Sequence, residues 1–141
     1  MTQSIALDPE KLQAMEPRED YPGGARLTPS VFDTPREVAV SPGPDGSLEV
    51  TFHYPDNEEA GPELSIGELW GAPVVVSPGR FSGKIIKLRV PVDTRKREPE
   101  PGTLLAGLLE RATGKLNRVN QRLNYRLIAG IMKSVGREIL P

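Results

Sequence analysis

Five basic side chains recur at helical spacing in RATGKLNRVNQRLNYR, residues 111–126. They are four, three, four and four positions apart, so a continuous helix would place all of them on one side. These residues are Arg111, Lys115, Arg118, Arg122 and Arg126. Guanidinium groups bind carboxylates and phosphates in two-point contacts. The predicted chemistry of this face is therefore recognition of an anion.

Toward the C terminus the basic face continues through Lys133 and Arg137. On a projection of about 100° per residue, all the basic positions fall within an arc of about 100°. A neighbouring stripe of leucines is expected to hold the helix on the core, which leaves the central arginines outside. The projection assumes a helix that continues through Gly114 and Gly130, and a change of apolar face near Gly130 predicts a bend there.

Several interpretations of this face are open on the sequence alone. Charged stripes opposite apolar ones are common on surface helices, so the face can be solvated or neutralised by acids of the same chain. It can also bind an acidic protein partner, the phosphates of nucleic acid or an anionic membrane surface. A sequence pI near 5.9 and few aromatic residues disfavour nucleic acid. We favour an acidic protein partner, with nucleic acid as the alternative.

The other candidates for chemistry are incomplete. His53 is the single histidine and the chain has no cysteine, so neither the usual zinc sites nor a Ser-His-acid triad is indicated. GRFSGKI, residues 79–85, has three residues between its glycines where a phosphate-binding P-loop has four. Ile85 also stands where that loop has Ser or Thr, so a hairpin turn is the better interpretation.

An acidic run supplies the one enzymatic alternative. A cleft lined by its carboxylates would suit a hard cation, but the run lacks the residue order of a calcium loop. These acids are Asp56, Glu58, Glu59 and Glu63. The sequence indicates no catalytic set, cofactor or metal site, and it predicts a non-enzymatic accessory or assembly protein. A small enzyme with a metal-assisted acidic cleft is the less favoured alternative.

Trp70, the single tryptophan, has two roles open to it. It can anchor the core at the margin of the sheet, or it can contact a partner, because tryptophan is enriched at binding hot spots. The predicted partner-binding set is Arg111, Lys115, Arg118, Arg122, Arg126, Lys133 and Trp70. Homo-oligomers and hetero-oligomers are both compatible with it.

Alternating segments predict the sheet that must position these residues. SLEVTFHY and KIIKLRVPV place apolar residues on one face and polar residues on the other, with REVAVS and APVVVS as shorter partners. VAVSPGPDGSLEV and VVVSPGRFSGKIIKL share Val-x-Val-Ser-Pro-Gly, which predicts two antiparallel hairpins. The shared pattern reflects either ordinary turn preferences or an internal duplication. PDNEEAGPELSIGELWG between the hairpins is expected to be a loop.

The predicted fold is α+β. A small antiparallel sheet of about four strands, in two hairpins, is covered on one face by a C-terminal amphipathic helical segment. The predicted organisation comprises a Pro-rich N-terminal arm at 1–35, the β domain at 36–92, a charged Pro-rich linker at 93–103 and the basic helical segment at 104–141. Within the arm, Asp8 and Pro9 predict the start of one short helix, and Thr103 is the expected N-cap of the C-terminal segment.

Composition limits the class of protein. The 15 Pro and 14 Gly make up roughly a fifth of the 141 residues, above the usual share of about 12%. Residues 1–103 contain 11 Lys and Arg against 17 Asp and Glu, whereas residues 104–141 contain seven against two. The lack of cysteine, of a secretory leader and of a long apolar run predicts a cytoplasmic protein with no membrane span.

Overall fold

The computed structural model describes residues 3–92 and 100–140, and it has the predicted α+β class. An antiparallel sheet of six strands is joined by a two-stranded hairpin and by two C-terminal helices. The elements are β1 (Gln3–Ala6), α1 (Pro9–Ala14), β2 (Glu19–Asp20), β3 (Arg26–Leu27), β4 (Glu37–Pro42), β5 (Leu48–His53), β6 (Leu64–Leu69), β7 (Ala72–Pro78), β8 (Ile85–Val90), α2 (Pro101–Thr113) and α3 (Val119–Ile139).

The strand order of the large sheet is β1-β4-β5-β8-β7-β6. Both predicted hairpins form, as β4 with β5 and β7 with β8, and they adjoin through the antiparallel pair of β5 and β8. The predicted alternation is confirmed, since Val50 and Phe52 are buried whereas His53 is exposed.

The sheet has more strands than the four predicted, because β1 and β6 arise from segments interpreted as arm and loop. Strand β1 is only four residues long and gains its stability by pairing with β4. Strand β6 has a register shift between Ser65 and Gly67, which interrupts the alternation that would have marked it as a strand. Propensity and periodicity are weak signals in such short or bulged strands.

Helices α2 and α3 form a hairpin against one face of the sheet. The chain turns between Gly114 and Arg118, and α3 continues through Gly130 without a break. Helix α2 begins at Pro101, before the expected N-cap Thr103. Gly130 lies inside α3. The apolar stripe changes face there because α3 packs against α1 as well as against the sheet and α2. Residues 93–99 of the predicted linker lie outside the described residues.

Glycines allow the two helices to approach closely at the far end of their hairpin. A Cβ built on Gly102 would lie 3.1 Å from Cα of Gly136, closer than side chains normally permit. The start of α2 therefore packs directly on the end of α3. Between the helices and the sheet lies the core, which includes Val38, Val50, Val74, Leu88, Leu105, Leu109, Leu127 and Ile128.

The N-terminal arm is laid across α3. Its short helix α1 forms as predicted, with Asp8 Oδ1 accepting a hydrogen bond of 2.9 Å from the Glu10 amide and with Pro9 in the first turn. Leu12 is the buried residue of α1 and belongs to the core. In the ranges 3–92 and 100–140, no helix combines the length and the apolar character required to cross a membrane.

Candidate interaction surface

The turn between the two helices divides the predicted basic stripe. Arg111 lies in α2, Lys115 lies in the turn, and Arg118 is the N-cap residue of α3. Arg122 and Arg126 follow on α3 at intervals of one helical turn. The continuous stripe predicted from 111 to 126 is therefore wrong, because the chain reverses direction in order to pack both helices on the sheet. Residues 118–126 comprise the N-cap and the first two turns of α3. They are the centre of the surface described below.

A buried lysine ties the arm to the sheet beside this stretch. Lys84 is 1% exposed, and its Nζ donates to the Phe32 carbonyl at 2.7 Å and to Asp56 Oδ2 at 2.6 Å. The ammonium lies 4.6 Å from the centre of the Tyr54 ring, within cation-π range. Burial alone would raise the pKa of Asp56, but the hydrogen bond and the charge of Lys84 outweigh it and lower that pKa. The short helical turn Val31–Asp33 is held in place by the hydrogen bond from Lys84 to the Phe32 carbonyl and by the approach of Lys84 Nζ to Asp33 Oδ1 at 3.9 Å.

Asn124 joins α3 to the same cluster. It is fully buried, and its Oδ1 accepts a hydrogen bond of 2.8 Å from the Ile85 amide. Its Nδ2 donates to the Asp33 carbonyl and to the Tyr54 hydroxyl, both at 3.0 Å. The hydroxyl in turn donates to the Ile85 carbonyl at 2.7 Å. Desolvation raises the pKa of Tyr54 far above its usual range, so the phenol keeps the proton that it donates.

The β2–β3 hairpin of the arm is attached to α3 through Glu19. Its carboxylate accepts hydrogen bonds from Arg122 Nε at 2.7 Å, Arg122 Nη2 at 2.8 Å and Arg126 Nη1 at 3.1 Å. The hydrogen bonds from Arg122 lower the pKa of Glu19 to about 2, against an opposing contribution from burial. Arg122 and Arg126 thus bind an acid of their own chain, and their binding to a partner stays a prediction.

The β7–β8 turn meets α3 at its N-terminus. The Glu58 carboxylate accepts hydrogen bonds from the Ser82 hydroxyl at 2.9 Å and from the Phe81 amide at 3.4 Å. Arg118 Nη1 donates to the Phe81 carbonyl at 3.1 Å. Gly83 has a φ of +76°, and any side chain there would collide with the Gln121 amide on α3. The turn is seated closely on the helix, while the Phe81 ring is 78% exposed.

Exposed apolar side chains concentrate around this stretch of α3. Among the described residues five large hydrophobic side chains are exposed, and four of them lie on the segments just described. Leu27 pairs with Glu19 in the β2–β3 hairpin, Val31 and Phe32 lie in the turn held by Lys84, and Phe81 lies in the turn held by Glu58. We call the residues Leu27, Val31, Phe32, Phe81 and Arg118 the α3 rim, because the first four lie on segments bound to α3 and Arg118 is its N-cap residue.

The other predicted partner residues lie away from the α3 rim. Trp70 is half-buried in the β6–β7 turn, where its φ of +53° and the following Gly71 form a two-residue connection. It packs beside Leu140, close to the end of α3 and roughly 30 Å along that helix from Arg118. Lys133 is exposed on the C-terminal half of α3. The structure therefore does not bring Trp70 and Lys133 to the α3 rim.

The acidic run does not form a common cleft in the structure. Asp56 binds Lys84, Glu58 caps the β7–β8 turn, Glu59 pairs with Arg80 and Glu63 pairs with Arg89. Over residues 3–92 and 100–140, no three His, Cys, Asp or Glu side chains are grouped so that they could hold a metal ion. His53 is exposed on the outer face of the sheet, opposite Glu37 in the strand register.

Sequence reasoning missed the residues that build this surface from the inside. Lys84 belongs to a segment predicted as a hairpin turn, Asn124 to the predicted C-terminal helical segment and Glu19 to the predicted N-terminal arm. Only the placement of Lys84 directly before an apolar strand and the isolation of Asn124 among buried neighbours carried any signal. Apart from the hydrogen bond of Glu19 with Tyr21, the side-chain partners named above lie between 28 and 107 positions away, so no local pattern could have paired them.

Comparisons with known proteins add no relative. No protein-family model matches the chain, and neither the curated proteins nor the solved structures contain a significant match.

Proposed function

We propose that this protein is a non-enzymatic accessory or assembly protein that binds an acidic protein partner through the α3 rim. The observation that carries the proposal is that four of the five exposed large hydrophobic side chains among the described residues lie on segments bound to residues 118–126. Single exposed apolar residues are ordinary, whereas a group of them on one surface is typical of an interaction site.

The backbone that carries these side chains is held by buried contacts. Lys84 and Asn124 bind the carbonyls of Phe32 and Asp33, and Glu58 binds the amides of the turn that contains Phe81. A preorganised surface loses less conformational entropy on binding than a mobile loop does. Phenylalanine and arginine are also enriched at protein interfaces, and the α3 rim presents both.

The charge of the neighbouring residues favours an acidic partner. Arg118 is exposed and uses one guanidinium nitrogen for the Phe81 carbonyl, which leaves other N–H groups for a carboxylate. Lys115 and Arg111 are exposed in the same turn and on the adjacent end of α2. Exposed charges of this kind are screened over about 8 Å at physiological ionic strength, so binding should weaken with salt.

Affinity capture with matched variants tests the proposal. Three versions of the full chain are immobilised and exposed to an extract of the native cell. They are the wild type, the double variant Phe32→Ser, Phe81→Ser, and the single variant Leu64→Ser. Leu64 is a suitable control because it is an exposed leucine, 45% accessible, on the edge strand β6. The expected result is one protein retained by wild type and by Leu64→Ser, released by salt and absent from the double variant.

Two results would count against this function. If the double variant, still folded by circular dichroism, retains every protein that wild type retains, the α3 rim is not the binding surface. If the wild type retards DNA or RNA in a gel at moderate salt and Arg118→Glu does not, nucleic acid replaces the protein partner.

A further inference from the structure

An open groove of about 530 Å³ lies between α1, the arm segment 29–36 and α3. This volume is in the range of small-molecule sites, about 300 to 1,000 Å³. The apolar part of its lining is aliphatic, and it includes Leu7, Leu12, Pro29, Val31, Pro35 and Leu127. No aromatic side chain is among the described residues that line it, so a flat ring would have no stacking partner there.

Two charged residues, Arg36 and Glu16, are among the residues that line the groove. The Arg36 backbone is fixed by its amide, which donates to the His53 carbonyl at 2.8 Å, and by its carbonyl, which accepts from the Leu7 amide at 3.0 Å. The Arg36 backbone therefore lies beside Leu7, two positions before α1, whereas Glu16 lies two positions after the end of that helix. Helix α1 has six residues and spans about 9 Å. Within the described residues neither charged side chain forms an ion pair.

We propose that this groove binds a linear aliphatic monocarboxylate, with its carboxylate at Arg36 and its chain along Leu12 and Leu127. The guanidinium fork matches a carboxylate, and the aliphatic wall takes the alkyl chain by burial of apolar surface. Glu16, beyond the other end of α1, repels a second carboxylate, so a dicarboxylate of the same length binds less well. The site is independent of partner binding at the α3 rim, although Val31 borders both.

Calorimetric titration of the full chain with sodium hexanoate, octanoate and decanoate tests the ligand class. Affinity should rise by up to about fourfold for each methylene that enters the groove. Decylammonium and decanedioate are the charge controls, and both should bind more weakly than decanoate. If decylammonium or decanedioate binds as tightly as decanoate, or if decanoate does not bind at all, the proposed ligand class is wrong.

Variants at the groove test its location. Arg36→Gln should weaken decanoate binding by on the order of tenfold, because a charge-assisted contact is lost. Arg80→Gln, at an exposed arginine outside the groove, should leave binding unchanged. Gln13→Trp adds an indole to the groove wall and should abolish binding, whereas Ala14→Trp on the same helix but outside the lining should not.

The proposed location would be wrong if Arg36→Gln or Gln13→Trp bound decanoate with wild-type affinity. It would also be wrong if a variant and its matched control, Arg80→Gln or Ala14→Trp, lost decanoate affinity equally. Circular dichroism of each variant verifies that α1 and the sheet are retained. The double variant Phe32→Ser, Phe81→Ser should bind decanoate normally, which separates a failure of this proposal from a failure of the partner-binding proposal.

Discussion

The carboxylate of Glu19 accepts hydrogen bonds of 2.7 and 2.8 Å from Nε and Nη2 of Arg122, which lies 103 positions later in the chain. This two-point pair fastens the β2–β3 hairpin to α3. The Glu19 side chain is 13% exposed, so the contact is shielded from solvent more than an ordinary surface pair. The position of Leu27 on the α3 rim depends on it, because Leu27 pairs with Glu19 across the hairpin.

The first prediction concerns Glu19 and pH. Its folded-state pKa of about 2 lies below the unfolded value near 4.5, so the pair stabilises the fold above the unfolded pKa. That contribution is lost as pH falls through the window between the two values. At neutral pH, Glu19→Gln should lower the melting temperature by on the order of a few degrees.

Melting curves of wild type and Glu19→Gln across the acid range provide the check. The difference between them should shrink as the pH is lowered toward 2. Asp20→Asn is the matched control, since Asp20 and Arg26 form a pair whose side chains are mostly exposed. A Glu19→Gln curve that coincides with wild type at neutral pH would show that the pair does not stabilise the arm.

The second prediction concerns the ion pair of the buried Lys84 with Asp56, whose side chain is 34% exposed. Lys84→Met removes the donor that the Asp56 carboxylate and the Phe32 carbonyl share, and a loss of about 1 to 3 kcal/mol in the free energy of unfolding is expected. Lys87→Met, at an exposed position on the following strand β8, should change this free energy by no more than about 0.5 kcal/mol. Urea unfolding measures both.

A double variant distinguishes the ion pair from simple packing. Lys84→Met combined with Asp56→Asn removes both charges, so it should recover part of the stability lost by Lys84→Met alone. If the double variant loses more unfolding free energy than the two single variants lose together, Asp56 stabilises the fold by some means other than its contact with Lys84.

The third prediction concerns Tyr54 at alkaline pH. Because its folded pKa is raised above the unfolded value of about 10, the fold should keep this phenol protonated and lose stability as pH rises beyond that value. The phenolate absorbance of Tyr54, obtained as the difference between wild type and Tyr54→Phe, should appear only together with unfolding. Phenolate absorbance that grows in the folded protein would contradict the buried hydrogen-bonded arrangement.

The fourth prediction separates arginines that hold the fold from one that faces outward. Arg122→Glu places two carboxylates together at Glu19 and should lower the melting temperature strongly. Arg118→Glu loses one bond to an exposed carbonyl, so it should melt within a few degrees of wild type while weakening partner capture. Equal melting temperatures for the two variants would contradict this division of roles.

Local pattern predicted the parts of this fold that depend on neighbours in the chain. The alternation in SLEVTFHY and KIIKLRVPV, the glycines of the two hairpin turns and the Asp8-Pro9 signal are short-range features, and each formed where it was expected. They act through steric preferences of the backbone and through the period of side-chain burial, which need no knowledge of distant residues. The α+β class followed from them.

Tertiary structure alone decided the positions of β1, β6, the helix turn and the candidate site. Strand β1 exists because β4 offers it unpaired backbone groups, and α3 begins at Val119 because two helices must share one face of the sheet. The sequence determined that Arg122 is basic and lies on a helix, but Glu19 determined what it binds. Such pairs form between residues that packing brings together. Their strength depends on how far the contact is desolvated, and no local pattern encodes that desolvation.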